Sequence, residues 1–294
     1  MSATTERESA VAAKNQHVDG AGPGEPLTSY DVAPAPYFRW KGLIERTLAA
    51  LLLIPGLPII GLLALLVRLT SPGPGILRQV RVGKDGRRFT MFKIRTMRSD
   101  AEASTGTVWA RPGDPRVTGV GRVLRRFHLD EFPQLFNVLH GDMSLIGPRP
   151  ERPEFVHVLS KQIPGYLNRL AVRPGITGLA QLNLPPDTDL ESVRRKLVLD
   201  LEYVERGGPY LDARLFLCTF ARLFKLPAVR LLGLERRAAR FGPHAPSANG
   251  SGRGEYTSPD KVVAAADPPD GDGQADSHRD ARQGLHPPAV HKPR

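Results

Sequence analysis

Between Arg46 and Arg68 the chain carries no charged side chain, and Leu48 to Val67 reads LAALLLIPGLPIIGLLALLV. A straight helix of about 20 residues rises about 30 Å, enough to cross the hydrocarbon core of a bilayer. Pro55 and Pro58 sit at its centre with Gly56 between them. Each proline removes an N–H donor and crowds the preceding turn, so a kink or break is predicted there. The two arms are then each too short to span alone. Arg39, Lys41 and Arg46 precede the segment, and Arg68, Arg78 and Arg81 follow it. Positive residues favour the cytoplasmic side. Basic flanks at both ends therefore predict a helix hairpin that dips into the membrane and returns to the same face. A kinked single-pass helix is the second reading. A buried helix of a soluble core is the third, and the continuous Leu, Ile and Val with no polar stripe speaks against it. Carbonyls freed at the break need partners, because unsatisfied polar groups in lipid cost several kcal/mol.

The remaining sequence has room for one domain. Its 294 residues carry a formal net charge of +11, which suits anionic lipid, nucleic acid or phosphorylated small substrates. A nucleic-acid binder leaves the apolar segment unexplained and has no aromatic-rich binding platform. The only cysteine, Cys218, excludes an intrachain disulfide and any cysteine-based metal cluster. Residues 1–36 and 242–294 are polar, rich in Gly and Pro, and lack a periodic apolar pattern, so both read as disordered tails. No basic head followed by an apolar run begins at Met1, so a cleaved signal peptide is not expected. His278, His286 and His291 read as part of the tail rather than as a metal tract.

The organisation that results is a tail (1–36), a membrane-associated re-entrant helix (37–69), a cytoplasmic catalytic domain (70–241) and a second tail (242–294). Thr70 to Gly75 forms a turn cluster. Lys84-Asp85-Gly86 predicts a hairpin turn. Arg88 to Met97 alternates charged and apolar residues, which places Lys93 and Arg95 on one face of a strand. Val120, Val123, Leu124 and Phe127 recur at helical spacing, and Phe132, Leu135, Phe136 and Leu139 are expected to share a second helical face. Leu190 to Arg206 reads as a helix with Leu197, Leu201 and Val204 inward. Asp200 lies in that pattern, either buried with a partner or outward in a surface ion pair. Tyr210 to Ala221 reads as a helix that lies in the membrane interface or packs on the soluble core.

The chemistry centres on Asp130 and Glu131. With Asp130 capping a helix whose first turn holds Pro133, both acids would sit beside unpaired N–H groups. Adjacent acids on a helix diverge by about 100°, so they do not face one another across a scissile bond. A division in which one carboxylate attacks and the other holds a metal is more sensible. A phosphoryl substrate repels a carboxylate, and Mg2+ with basic side chains must neutralise it before attack. Lys93, Arg95, Arg149 and Arg173 can supply that charge, and Arg149 is the best placed because Pro148 and Pro150 restrict it.

The motifs SPGPGILRQVRVGKDGRRFTMFKIRTM, DPRVTGVGRVLRR, LDEFPQLFNVLHGDMSLIGPRP and RPGITGLAQ, in this order, span about Phe38 to Leu226. In these the chain resembles the bacterial sugar transferases, monotopic phosphoglycosyl transferases that start lipid-linked glycan assembly. The resemblance implies an α/β monotopic membrane protein: a re-entrant kinked helix hairpin with a small cytoplasmic catalytic domain and interfacial amphipathic helices, on the bacterial inner membrane. Its break is implied at Pro58, with Pro55 sharing the task, and Leu57 stands where the family has serine. The implied substrates are a UDP-sugar and polyprenyl phosphate. Asp130 is implied as the nucleophile that takes the phosphosugar as UMP leaves, Glu131 as the Mg2+ ligand and Arg149 as a phosphate contact. Lys93, Arg95, Arg173 and Asp200 also fall on family positions. A homodimer or association with other glycan-assembly enzymes is a further expectation, and nucleic acid is not an expected partner. The non-enzyme alternative is a membrane-anchored scaffold that binds phosphorylated partners.

Overall fold

A computed structural model of the chain describes residues 30–223, apart from 104, 105, 107 and 110–112. Most of residues 1–36, all of 242–294 and the three tail histidines lie outside the described residues.

The apolar segment forms the centre of one long helix, α1 (Phe38–Thr70, 33 residues), with Pro55 and Pro58 inside it. Of the predicted kink or break, the structure has no break: the helix is continuous through both prolines. Each proline deletes one donor, and the helical path continues because one face stays packed throughout. Lys41, Glu45, Ala49, Leu53, Gly56, Ile60 and Val67 are buried, mostly at the three- and four-residue spacing of one helical stripe. The other faces expose Leu51, Ile54, Leu57, Leu62 and Leu65. Both ends of α1 meet the same domain. At the start, the buried Lys41 ammonium bonds the Tyr203 hydroxyl at 3.0 Å and pairs with Asp212. At the far end Arg95, beyond the next two strands, binds the carbonyls of Ser71, Pro72 and Pro74 at 2.8, 2.6 and 2.7 Å. Gly75 lets the chain leave this turn against α1, since a Cβ there would collide with the carbonyl of Ala64.

Strands β1 (Ile76–Val82) and β2 (Arg88–Ile94) form the expected antiparallel hairpin, closed through Lys84–Gly86, where Asp85 adopts positive φ. Helix α2 (Gly119–Arg126) follows, capped by the Thr118 hydroxyl, which accepts from the Gly121 N–H at 2.9 Å. Helix α3 (Gln134–His140) packs beside β2. Its Asn137 side chain donates to the Thr90 carbonyl at 2.7 Å and accepts from the Phe92 N–H at 3.1 Å, so it satisfies an edge of β2. The expected shared face of α3 divides. Leu135 and Val138 are buried, while Phe136 and Leu139 are exposed.

Strand β3 (Ser144–Ile146) pairs in parallel with β4 (Gly175–Thr177), with Ser144 opposite Gly175. Between them lie α4 (Pro153–Gln162) and a short 3-10 segment, Tyr166–Ala171. Helices α5 (Leu179–Asn183), α6 (Leu190–Arg206) and α7 (Pro209–Leu223) complete the described chain. Helix α6 starts with a capping box of Asp189 and Ser192, and buries Leu197 and Val204 as its spacing predicts. Helix α7 buries Leu215 and Cys218 while exposing Leu217 and Phe220.

Candidate active site

The two acids do not cap α3. After α2, His128 adopts a left-handed backbone (φ 53°), uncommon for a residue with a side chain. The chain turns sharply there and makes a single 3-10 turn, Leu129–Glu131. Pro133, which has no N–H, then leads into α3. The dyad is thereby held one turn ahead of the helix.

Asp130 is 8% exposed. Burial pushes its carboxyl above the usual carboxylate range, and the neighbouring Glu131 pushes the same way. Lys93, Arg125 and Arg149 oppose this shift and favour the carboxylate. Lys93 is a residue of β2 and Arg125 of α2, while Arg149 follows β3, so three elements converge their cations on one acid. Burial, and then the charges of Arg81, Arg125 and Arg149, bring the Lys93 ammonium down to about 8. Arg125 is fixed by its Nε, which donates to the Thr96 hydroxyl at 2.8 Å. Glu131 accepts from Arg149 at 3.2 Å, and that pairing raises the basicity of the guanidinium. The Arg149 side chain remains 44% exposed, open to a ligand beside the dyad.

The Arg149 loop is bonded at four successive carbonyls. Pro148 accepts from the Gly175 N–H at 2.8 Å and Arg149 from Arg169 Nη2 at 2.8 Å. Pro150 accepts from Arg81 Nη1 at 3.0 Å and Glu151 from the Val82 N–H at 2.9 Å. Two prolines restrict the backbone further. This is preorganisation of the kind electrostatic catalysis requires.

Other expected ligands lie elsewhere. Arg95 is 3% exposed, with its guanidinium directed into the carbonyls that follow α1, so it is a turn clamp and not a phosphate contact beside the dyad. Its side chain diverges from that of Lys93 because β2 ends at Ile94. Arg173 rests its guanidinium on Gly42 of α1. Asp200 is buried and bonds Arg169 at 2.7 and 2.9 Å. Burial pushes the Asp200 carboxyl up, and Arg169 holds it down. Asp200 is therefore linked to the site through Arg169 and the Arg149 carbonyl. Pro55 and Pro58 stay within α1.

Sequence reasoning did not select Arg81, Arg125 or Arg169 for the site. Arg125 lies five residues before Asp130, and Arg169 lies four before Arg173. No local pattern separates either from the many other arginines.

Among the described residues no group of three His, Cys, Asp or Glu side chains is arranged to hold a metal ion. Mg2+ is commonly held by one or two carboxylates with substrate phosphates and water completing the shell. Glu131, beside the exposed Arg149 guanidinium, would supply one carboxylate of such a shell.

Residues 37–226 match the profile of a family described as Bacterial sugar transferase. A UDP-N-acetylgalactosamine-undecaprenyl-phosphate N-acetylgalactosaminephosphotransferase of Aeromonas hydrophila is 43% identical over 180 residues, 61% of this chain and 42% of the relative. A UDP-glucose:undecaprenyl-phosphate glucose-1-phosphate transferase of Caulobacter vibrioides is 41% identical over 185 residues, 62% of this chain and 69% of the relative. A protein of the same description in Escherichia coli K12 is 41% identical over 182 residues, 61% of this chain and 39% of the relative. The chain thus spans less than half the length of the Aeromonas and Escherichia relatives.

Proposed function

The chain belongs to the bacterial sugar transferase family, and we propose that it moves a sugar 1-phosphate from a UDP-sugar to undecaprenyl phosphate and releases UMP. The observation that carries this reading is Asp130, a buried carboxylate with Lys93, Arg125 and Arg149 gathered around it. A carboxylate that must attack an anionic diphosphate needs such a surrounding. The cations oppose the effect of burial and draw the substrate phosphates toward it.

The reaction then divides into two displacements. An oxygen of Asp130 attacks the β-phosphorus of the UDP-sugar. The bond from that phosphorus to the bridging oxygen breaks, and UMP departs with the electron pair. The phosphosugar remains on the Asp130 carboxylate as an acyl phosphate. An oxygen of undecaprenyl phosphate attacks the same phosphorus, the carboxylate leaves, and undecaprenyl diphosphosugar forms. Arg149 contacts the phosphoryl oxygens, and Lys93 and Arg125 stabilise the charge around Asp130. Mg2+, held by Glu131 together with substrate oxygens, would neutralise diphosphate charge when bound.

The membrane seating is part of the proposal. Helix α1 enters and leaves the cytoplasmic leaflet of the bacterial inner membrane with Pro55 and Pro58 at its deepest point. Contacts of both helix ends with one domain support this reading over a span whose far end lies across the bilayer. The exposed Phe216, Leu217 and Phe220 of α7 suit a helix lying at the interface. So do Val123 and Phe127, in the last turn of α2 and just after it, beside Arg122 and Arg126. An aspartate at headgroup level meets a soluble donor and a membrane-dissolved acceptor at one place. The product serves the start of exopolysaccharide, capsule, O-antigen or glycoprotein glycan synthesis.

A panel of UDP-sugars, each supplied with undecaprenyl phosphate and magnesium to the purified protein in detergent, tests this function. UMP release with one or a few members of the panel is expected. Its absence with every sugar overturns the reading.

A further inference from the structure

Strand β3 is three residues long and, among the described residues, pairs with one neighbour, β4. A two-stranded sheet of this length is marginal by itself. Of the four successive N–H groups from Ser144 to Gly147, the outer two face β4. Ser144 donates its N–H to the Pro174 carbonyl at 2.8 Å and Gly147 donates to Thr177 at 2.9 Å, both toward β4. The Leu145 and Ile146 N–H groups between them take a different acceptor.

That acceptor comes from α1. Glu45 Oε1 accepts from the Leu145 N–H at 3.0 Å and from the Ile146 N–H at 3.3 Å. Its other oxygen accepts from the Ser144 hydroxyl. The carboxylate is itself held by Lys41, 2.9 Å from Oε1, and Lys41 also pairs with Asp212. Glu45 lies two residues before the uncharged run and is buried in a stripe that continues along α1. One carboxylate of the apolar helix therefore closes the open side of the strand that leads directly into Gly147-Pro148-Arg149.

We propose that Glu45 is a positioning residue for Arg149: through β3 it transmits the seating of the membrane helix to the phosphate-binding loop. Arg169 and Arg81 hold the carbonyl side of the loop, and Glu45 fixes the strand that delivers it. A shift of α1 relative to the domain moves the acceptor of two β3 amides, and Arg149 moves with them. The effect on catalysis rests on the transferase reading above, whereas the effect on the loop does not.

The test uses the full chain in detergent, wild type beside Glu45→Ala and Glu45→Gln. Hydrogen–deuterium exchange is followed over peptides covering 143–150 and 76–94, and UMP release is measured in parallel. Loss of charge-assisted hydrogen bonds predicts about tenfold or faster exchange over 143–150 in Glu45→Ala, with 76–94 unchanged. The KM for the UDP-sugar rises and kcat/KM falls about tenfold or more. Glu45→Gln, whose amide oxygen still accepts from both N–H groups, recovers much of each loss. If Glu45→Ala does not accumulate, Ser144→Ala carries the test, with a smaller increase confined to 143–150. Unchanged exchange over 143–150, exchange raised equally across the domain, or no recovery by Glu45→Gln overturns the proposal. Wild-type protein that releases no UMP contradicts the transferase reading, while the exchange measurement still decides the role of Glu45.

Discussion

The guanidinium of Arg169 bonds Asp200 at 2.7 Å and, with the same nitrogen, the main-chain carbonyl of Arg149 at 2.8 Å. A buried ion pair is thereby tied to the backbone of the residue that faces the dyad. Breaking such a pair leaves an uncompensated charge and costs about 3–5 kcal/mol. Asp200→Ala is expected to lose stability on that scale in denaturant unfolding, and to raise the KM for the donor in the protein that remains folded. A loss below about 1 kcal/mol would show that the pair does not brace the loop.

The two ends of the pH profile belong to different groups. Burial and Glu131 raise Asp130, so its carboxylate is lost at a higher pH than an ordinary aspartate's as the solution is acidified. Lys93 titrates at about 8, so its charge is lost as pH rises through that value. UMP release is expected to follow a bell with its alkaline limb near pH 8. Lys93→Arg moves that limb upward. The sign for stability is opposite. A lysine whose folded value lies below its unfolded value of about 10.4 disfavours folding while charged, so its contribution improves between about pH 8 and pH 10. An alkaline limb unmoved by Lys93→Arg would assign it to another group.

Arg95 and Lys93 look alike in the sequence, two residues apart on an alternating strand, yet Lys93 acts on Asp130 while the Arg95 guanidinium binds the carbonyls that follow α1. Arg95→Ala removes a buried guanidinium and its hydrogen bonds to the carbonyls of Ser71, Pro72 and Pro74, and a loss of about 2–4 kcal/mol in stability is expected. Turnover per folded molecule is expected to stay within about twofold of wild type. Arg95→Lys that folds normally but releases no UMP would return Arg95 to the site.

Magnesium provides a fourth test. Chelation by excess EDTA is expected to stop UMP release, and added Mg2+ to restore it. Full activity in the chelator would remove the metal role from Glu131.

Much of this architecture was legible because local chemistry decides it. The uncharged run could only be an apolar helix, Lys84-Asp85-Gly86 could close a hairpin, and the spacing of Leu197 and Val204 fixed the inward face of α6. The chain did not reveal the continuity of α1 through Pro55 and Pro58, because packing of Leu53, Gly56 and Ile60 on the domain is a tertiary effect. Nor did it reveal that Lys41, read as a flanking charge, is buried at 3% exposure in an ion pair. The position of the dyad turned on the positive φ of one residue, His128, which has no strong sequence signal. Arg125 and Arg169 were missed for a related reason. Each acquires its role from partners distant in sequence or on another element, Thr96 for one and Asp200 for the other.

The most direct measurement is intact-protein and peptide mass spectrometry after a brief exposure to the UDP-sugar that supports UMP release, without undecaprenyl phosphate. The added mass of one phosphosugar on Asp130, absent from Asp130→Asn and discharged by undecaprenyl phosphate, is the predicted result. UMP release with no adduct, or with the adduct on any other residue, would contradict the central role of Asp130.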